Sequence, residues 1–235
     1  MKILSIGNSF SRDAHRYIHA LARKNGAELE TVNLYVADAS LDTHIRNYYA
    51  DRRVYFYDFN GVETDFCVTL NEALSADEYD IVTVQQLSRK SLGTDSFSPS
   101  LERLLEIVEL YQPRAKIYLH QGWEYSPDSA EARAVAPRGD MYNSLDATLS
   151  AIMEKYPKIS GNIPSHRAVN LAINAGVERL YRDGVHLSLG GGRYLVALVW
   201  YKSLFGAMPE KHLTALDKPI PAPDLQKIIL CAQNA

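Results

Sequence analysis

Short runs rich in Val, Ile and Leu recur at residues 2–7, about 29–36, 80–84, 116–120 and near 159–163, and helix-patterned segments separate most of them. Two strands joined through a helix pair in parallel, because the crossover returns the chain to the end of the sheet where the first strand began. This alternation predicts an α/β chain: a three-layer α/β/α sandwich with about five mainly parallel strands. The runs at 80–84 and 116–120 are short and apolar, as suits strands covered on both faces. After the first run, Ser11-Arg12-Asp13 is expected to cap a helix with an apolar face of Ala14, Ile18, Leu21 and Ala22 that ends near Asn25-Gly26. Further helices are expected at about 98–111 and 140–155, and the most apolar helical run, Tyr194 to Phe205, should lie against the sheet. Residues 53–70 break the rhythm: two β-rich runs flank Asn60-Gly61, the signal of a hairpin insertion. Its density of Tyr and Phe suits either a cover for a site or a contact between copies of the chain. The Pro-rich stretch 219–223 spaces a short terminal helix from the body, so that 1–235 reads as one domain with a C-terminal extension from about 207.

Length and composition narrow the function classes. With 235 residues, 46% of them hydrophobic, the chain can bury the core of one large α/β domain. The net charge is −3 and the Lys and Arg residues are scattered, which argues against nucleic acid as a partner. Cys67 and Cys231 lack the spacing of a metal knuckle or a redox pair and are expected to be buried thiols. No apolar run reaches the roughly 18–20 residues that cross a bilayer, so no membrane partner is expected. No basic-then-apolar leader follows Met1, so a cytoplasmic location is expected of the sequence as it stands, or a periplasmic or secreted one if a leader has been removed.

In open parallel sheets, sites form over the C-terminal ends of the strands. Ser9, the Asp38-Ala39-Ser40 loop, Gln85 with Gln86, and His120 with Gln121 all follow expected strands and should share that edge. Near the other end of the chain stands Asp183-Gly184-Val185-His186. On a loop, a carboxylate three residues before an imidazole can accept from one ring nitrogen while the other faces a hydroxyl. Ser9, His186 and Asp183 thus supply a nucleophile, a base and an orienter. The bland readings are a helix-entry serine and an ordinary Asp-Gly turn. His120-Gln121-Gly122-Trp123-Glu124-Tyr125 has the aromatic and polar mixture of a carbohydrate-facing loop, in which Trp123 either stacks on a sugar or caps the core; Arg46, Asn47 and Tyr48 read the same two ways. His120, His186 and Glu124 show no metal-ligand spacing, and no cofactor is expected.

Gly7-Asn8-Ser9-Phe10 after the first strand, with Asp183-x-x-His186 near the end, resembles the SGNH or GDSL hydrolase superfamily over about residues 2–206. The resemblance implies a flavodoxin-like fold and a Ser9-His186-Asp183 triad that attacks esters. Asn8 replaces the aspartate usual in such proteins and Phe10 the usual leucine. The superfamily's two middle blocks are missing. No glycine follows the second strand, and Val84-Gln85-Gln86-Leu87-Ser88 stands where a Gly-x-Asn-Asp block would be. The oxyanion donors implied are then the backbone N–H of Ser9, a backbone N–H of Asp38 or Ala39, and the Gln85 side chain. Gln86, His120, Gln121 and Trp123 are expected to contact substrate. The polar aromatic loops favour a small acyl ester, acetyl above all, on a carbohydrate, with a general short-chain carboxylesterase next. A non-catalytic carbohydrate-binding protein and an acyltransferase are the other readings.

Overall fold

The computed structural model describes residues 1–235. Seven strands form one sheet: β1 Lys2–Gly7, β2 Glu30–Tyr35, β3 Tyr55–Phe59, β4 Cys67–Val68, β5 Ile81–Val84, β6 Lys116–His120 and β7 Ile159–Ile163, in the order β4-β3-β2-β1-β5-β6-β7. Five of them, β2-β1-β5-β6-β7, run parallel. Counted among themselves they follow the doubly wound order 2-1-3-4-5, in which the direction of winding reverses between β1 and β5. Gly7, the last residue of β1, therefore opens onto the switch point where such sheets bind ligands.

Nine helices complete the layers: α1 Ser9–Lys24, α2 Leu41–Tyr49, α3 Leu70–Ser75, α4 Ser100–Tyr111, α5 Ala130–Val135, α6 Met141–Lys155, α7 Ser165–Asn174, α8 Gly191–Phe205 and α9 Ala222–Asn234. Alternation along β1 explains the two cores. Ile3 packs with α1, α7, α8 and α9 on one face, and Leu4 and Ile6 pack with α2, α3 and α4 on the other. The run from Tyr194 is buried nearly throughout, as its composition predicts. No helix is long and apolar enough to cross a membrane. Cys231 is buried, whereas Cys67, on a strand of only two residues, is half-buried.

The 53–70 segment is a hairpin that extends the sheet. β3 pairs antiparallel with β2, and β4 pairs with β3 at the edge. Asn60 and Gly61 both take positive φ, 51° and 77°, as a two-residue hairpin turn requires. The ribbon lies beside α1, where Arg12 Nε donates to Asp58 Oδ2 at 2.8 Å and the guanidinium stacks 3.4 Å over the Tyr35 ring. None of its residues borders the cleft at Ser9.

Helix α1 begins three residues earlier than its cap signal suggests. Asn8 is the N-cap, its side chain accepting from the Phe10 N–H at 3.0 Å, and Ser11 turns inward to donate to the Asn8 carbonyl. Ser9 becomes the first helical residue, at the positive end of a helix of 16 residues.

Candidate active site

Asp183 and His186 occupy the tip of a small hairpin between α7 and α8. Tyr181 bridges Leu187, the Arg182 N–H donates to the His186 carbonyl at 2.9 Å, and the Ser188 N–H donates to Leu180 at 2.8 Å. At the tip, Asp183 Oδ1 accepts the backbone N–H groups of Val185 and His186 at 2.8 and 2.7 Å. Burial pushes the Asp183 carboxyl up, but these two N–H donors and the imidazole outweigh it and hold it below the ordinary carboxylate range. A charged Asp183 is what His186 faces. His186 Nδ1 lies 2.9 Å from Asp183 Oδ2, and Nε2 lies 2.8 Å from Ser9 Oγ. Folding brings together groups 177 residues apart in sequence. With Nδ1–H directed at the carboxylate, Nε2 is left to accept the Ser9 proton.

Ser9 and His186 open into a cleft of about 310 Å³. Two backbone donors stand beside it. The N–H of Ser9 has no helical acceptor because it is in the first turn, and that of Asp38 donates to no protein group. Asp38 sits in a turn closed by the Ala39 N–H on the Val36 carbonyl at 3.3 Å, at φ 52°. Aspartate is among the few residues that accept this left-handed conformation, which explains how the loop forms without glycine. Asn8 Nδ2 donates to the Ala39 carbonyl at 3.0 Å, tying the serine turn to this loop.

A family model described as a domain of unknown function, DUF4886, matches residues 2–216. The chain belongs to this family. A DUF4886 family protein from Bacteroides uniformis has a crystal structure that superposes with a TM-score of 0.91 at 27% identity, covering 100% of this chain and 94% of that one. The DUF4886 fold seen here also matches SGNH and GDSL hydrolases, with TM-scores of 0.53–0.62. Among them are a carbohydrate esterase family 3 protein from Talaromyces cellulolyticus, at 0.56 and 13% identity over 88% of this chain and 97% of that one, and a psychrotrophic esterase from Pseudoalteromonas, at 0.57 and 13% identity over 87% and 97%. A comparison with curated proteins finds no match.

Several residues expected at the site lie beneath it in this DUF4886 chain. Gln85 is 1% exposed, packed under Gly7 and beside Gly122, with neither amide atom hydrogen-bonded; it does not border the cleft and is not placed as an oxyanion donor. Gln86 is spent on the backbone, accepting from Leu41 and Leu87 and donating to Ser96. His120 is buried against Trp200 and meets Ser165 Oγ at 3.1 Å, and Gln121 donates to the Leu145 carbonyl at 3.2 Å. Trp123 is 0% exposed, so no sugar can stack on it. Its ring stacks on Phe10 at 4.0 Å and its Nε1 donates to the Val185 carbonyl at 3.0 Å, which makes it a support for the His186 loop. On α2, Arg46 pairs with Asp42, Asn47 is buried and Tyr48 packs on Tyr49 and Tyr111; none borders the cleft. No group of three or more His, Cys, Asp or Glu side chains converges as a metal site would require.

The structure adds residues to which the sequence assigned no role of their own. Ser88 and Tyr125 share a hydrogen bond of 2.8 Å on the cleft wall, and α5 contributes Glu131, Ala134 and Val135. Arg89 stands at the mouth, 3.7 Å from Asp38 Oδ1. The signal for Ser88 and Arg89 was position, since they follow β5, one of the strands flanking the switch point; Tyr125 stood in the aromatic loop after β6, and of that loop it is the residue that reaches the cleft.

Proposed function

We propose that this protein is a serine ester hydrolase of the SGNH type, acting through Ser9, His186 and Asp183. The observation that carries the reading is the relay from Asp183 Oδ2 through His186 to Ser9 Oγ, with spacings of 2.9 and 2.8 Å, at the rim of an open cleft. Nε2 takes the Ser9 proton as Oγ attacks the ester carbonyl, while charged Asp183 holds the ring and stabilises the imidazolium without taking the proton. The carbonyl oxygen gains negative charge beside the N–H of Ser9, at the positive end of α1, and the N–H of Asp38. The imidazolium then protonates the departing alcohol, leaving Ser9 acylated. A water attacks the acyl carbon by the same route in reverse, releasing the acid and restoring the Ser9 hydroxyl.

Cleft size supports a small acyl group, acetyl first, since about 310 Å³ lies at the lower end of small-molecule sites. Polar groups at the mouth, Arg89, Asp38 and Glu131, suit an alcohol portion rich in hydroxyls better than a lipid. The fold neighbour described as a carbohydrate esterase agrees with that choice. Purified protein should release nitrophenol from nitrophenyl acetate faster than from longer acyl esters, and Ser9→Ala should lower the rate at least 1,000-fold (, order of magnitude) with unfolding unchanged. Equal rates for wild type and Ser9→Ala would overturn the reading and leave the non-catalytic binding protein in its place. Acetylated sugar formed in place of free acetate would make it an acyltransferase.

A further inference from the structure

The charge on Asp13 is not explained by the reaction scheme. Asp13 lies on α1 four residues beyond Ser9, on the buried side, and is 0% exposed. A carboxylate there is tolerated only if paired. Two arginines pair it: Arg182 Nη1 lies 2.9 Å from both oxygens, and Arg193 Nε, from α8, lies 2.7 Å from Oδ1. Arg193 is itself nearly buried and reaches outward to Asp217 at 3.5 Å. Such a cluster adds little net stability compared with an apolar packing of the same volume.

Its connections are specific, however. Arg182 immediately precedes Asp183. Its backbone N–H donates to the His186 carbonyl at 2.9 Å, and its guanidinium donates to the Leu187 carbonyl as well as to Asp13. Arg182 therefore ties the two strands of the hairpin that carries the acid and base, by its backbone to His186 and by its side chain to Leu187, and the same side chain hangs that hairpin on the helix that carries the nucleophile. Arg182 does not border the cleft at Ser9. We infer that Asp13 and Arg182 are positioning residues, which set the His186 hairpin in register with Ser9 through an ion pair spanning 169 residues of sequence. The inference rests on the proposed ester hydrolysis only for its kinetic consequence; the geometric claim stands apart from it. Proton transfer across 2.8 Å is sensitive to displacements of the order of an ångström, so a loosened hairpin costs turnover more than binding.

Two readouts test this on the full chain. In Arg182→Met, kcat on nitrophenyl acetate should fall at least 10-fold with KM within about twofold. Arg182→Lys, which keeps a cation for Asp13 but loses the planar guanidinium that also donates to the Leu187 carbonyl, should recover part of the loss. Arg114→Met, which removes a surface pair with Glu78, should change nothing. The second readout needs no turnover: in ¹⁵N-histidine spectra, with His186 assigned by its absence in His186→Gln, the wild-type ring should be held as the Nδ1–H tautomer. In Arg182→Met it should drift toward the mixture of a free imidazole. If Arg182→Met does not fold, Arg182→Lys must show an intermediate shift. A folded Arg182→Met, or Arg182→Lys in its place, with an unchanged His186 tautomer would overturn the inference whatever the kinetics. An inactive wild type whose tautomer still responds would sink the esterase reading and leave the positioning role standing.

Discussion

The two halves of the candidate site are held in different ways. The serine turn is built from contacts within a few residues: Asn8 caps Phe10, Ser11 donates to Asn8, and the strand-to-helix junction dictates where Ser9 points. The Asp183–His186 hairpin is fastened by groups from distant parts of the chain: the Asp13 side chain through Arg182, the Trp123 side chain through Val185, and the Ser126 backbone N–H through the Gly184 carbonyl at 2.9 Å. Gly192 belongs to the same fastening, since a Cβ there would stand 2.5 Å from the Leu180 carbonyl at the hairpin's base. A nucleophile set by local geometry tolerates changes elsewhere. A base set by tertiary contacts is exposed to all of them.

Acid should separate the halves most strongly. His15, on the helix that carries Ser9, meets Ser5 Oγ on β1 at 2.7 Å, and it and His120 pack edge-on to Trp200. Burial pushes His15 down to about 3, and burial with the neighbouring His15 and His166 pushes His120 down to about 3, from 6.5. The folded state keeps both rings neutral while the unfolded chain protonates them. Stability is therefore full above pH 6.5 and falls as the pH drops from 6.5 towards 3, by about 1.4 kcal/mol per pH unit for each ring. Asp183 has the same sign in a lower window: its carboxyl is held below 3.8, so its contribution is intact above that value and is lost only as the pH falls beneath it. Urea unfolding at pH 4.5 should show a loss of about 5 kcal/mol from these two rings relative to pH 7, to which His44, buried and pushed down to about 4, adds, and His15→Asn should flatten the slope by roughly one proton's worth. A stability independent of pH over that window would contradict the buried neutral pair.

Next in size is Trp123→Phe, which keeps a ring on Phe10 but removes the donor to Val185. Leaving that carbonyl unpaired and part of the core unfilled should cost about 1–3 kcal/mol of stability. Turnover should drop about 10-fold with little change in KM, because the hairpin tip loses one of its fastenings. Equal kinetics for the two proteins would mean that the tip is rigid on its own hydrogen bonds, and the contrast between the halves would weaken.

The same contrast explains what could be read from the chain alone. The five parallel strands, the Asn60-Gly61 turn, and the serine and Asp-x-x-His placements are legible because each is written in neighbouring residues. Helix α3 is written in neighbouring residues too, in the capping box Thr69-x-x-Glu72. Helix α7 starts at Ser165, directly after Ile163-Pro164, with no side-chain cap, so nothing marks its start, although Ala168, Val169 and Ala172 form a buried face along its ten residues. His120, Gln121 and Trp123 misled because polar atoms in a loop suggest solvent. Their partners, Ser165, Leu145 and Val185, are brought to them only by folding. Arg182 was hidden for the same reason: nothing near it in sequence announces Asp13.

The smallest effect separates the two jobs of Asn8. Its Oδ1 caps α1, and its Nδ2 ties the serine turn to the Ala39 carbonyl at 3.0 Å, next to the free N–H of Asp38. Asn8→Asp keeps the first and loses the second. A carboxylate caps as well as an amide and gains from the positive helix end, so stability should stay within about 0.5 kcal/mol of wild type. The repulsion of the new carboxylate by the Ala39 carbonyl should loosen the 38–39 turn and lower kcat about 3-fold, without moving the pH at which the fold fails. Asn8→Ala loses both contacts and should cost about 1 kcal/mol of stability besides. If Asn8→Asp turned over at the wild-type rate, the Asp38 turn would owe nothing to Asn8. The serine half would then be more local still, because the strand-to-helix junction alone would set its donors.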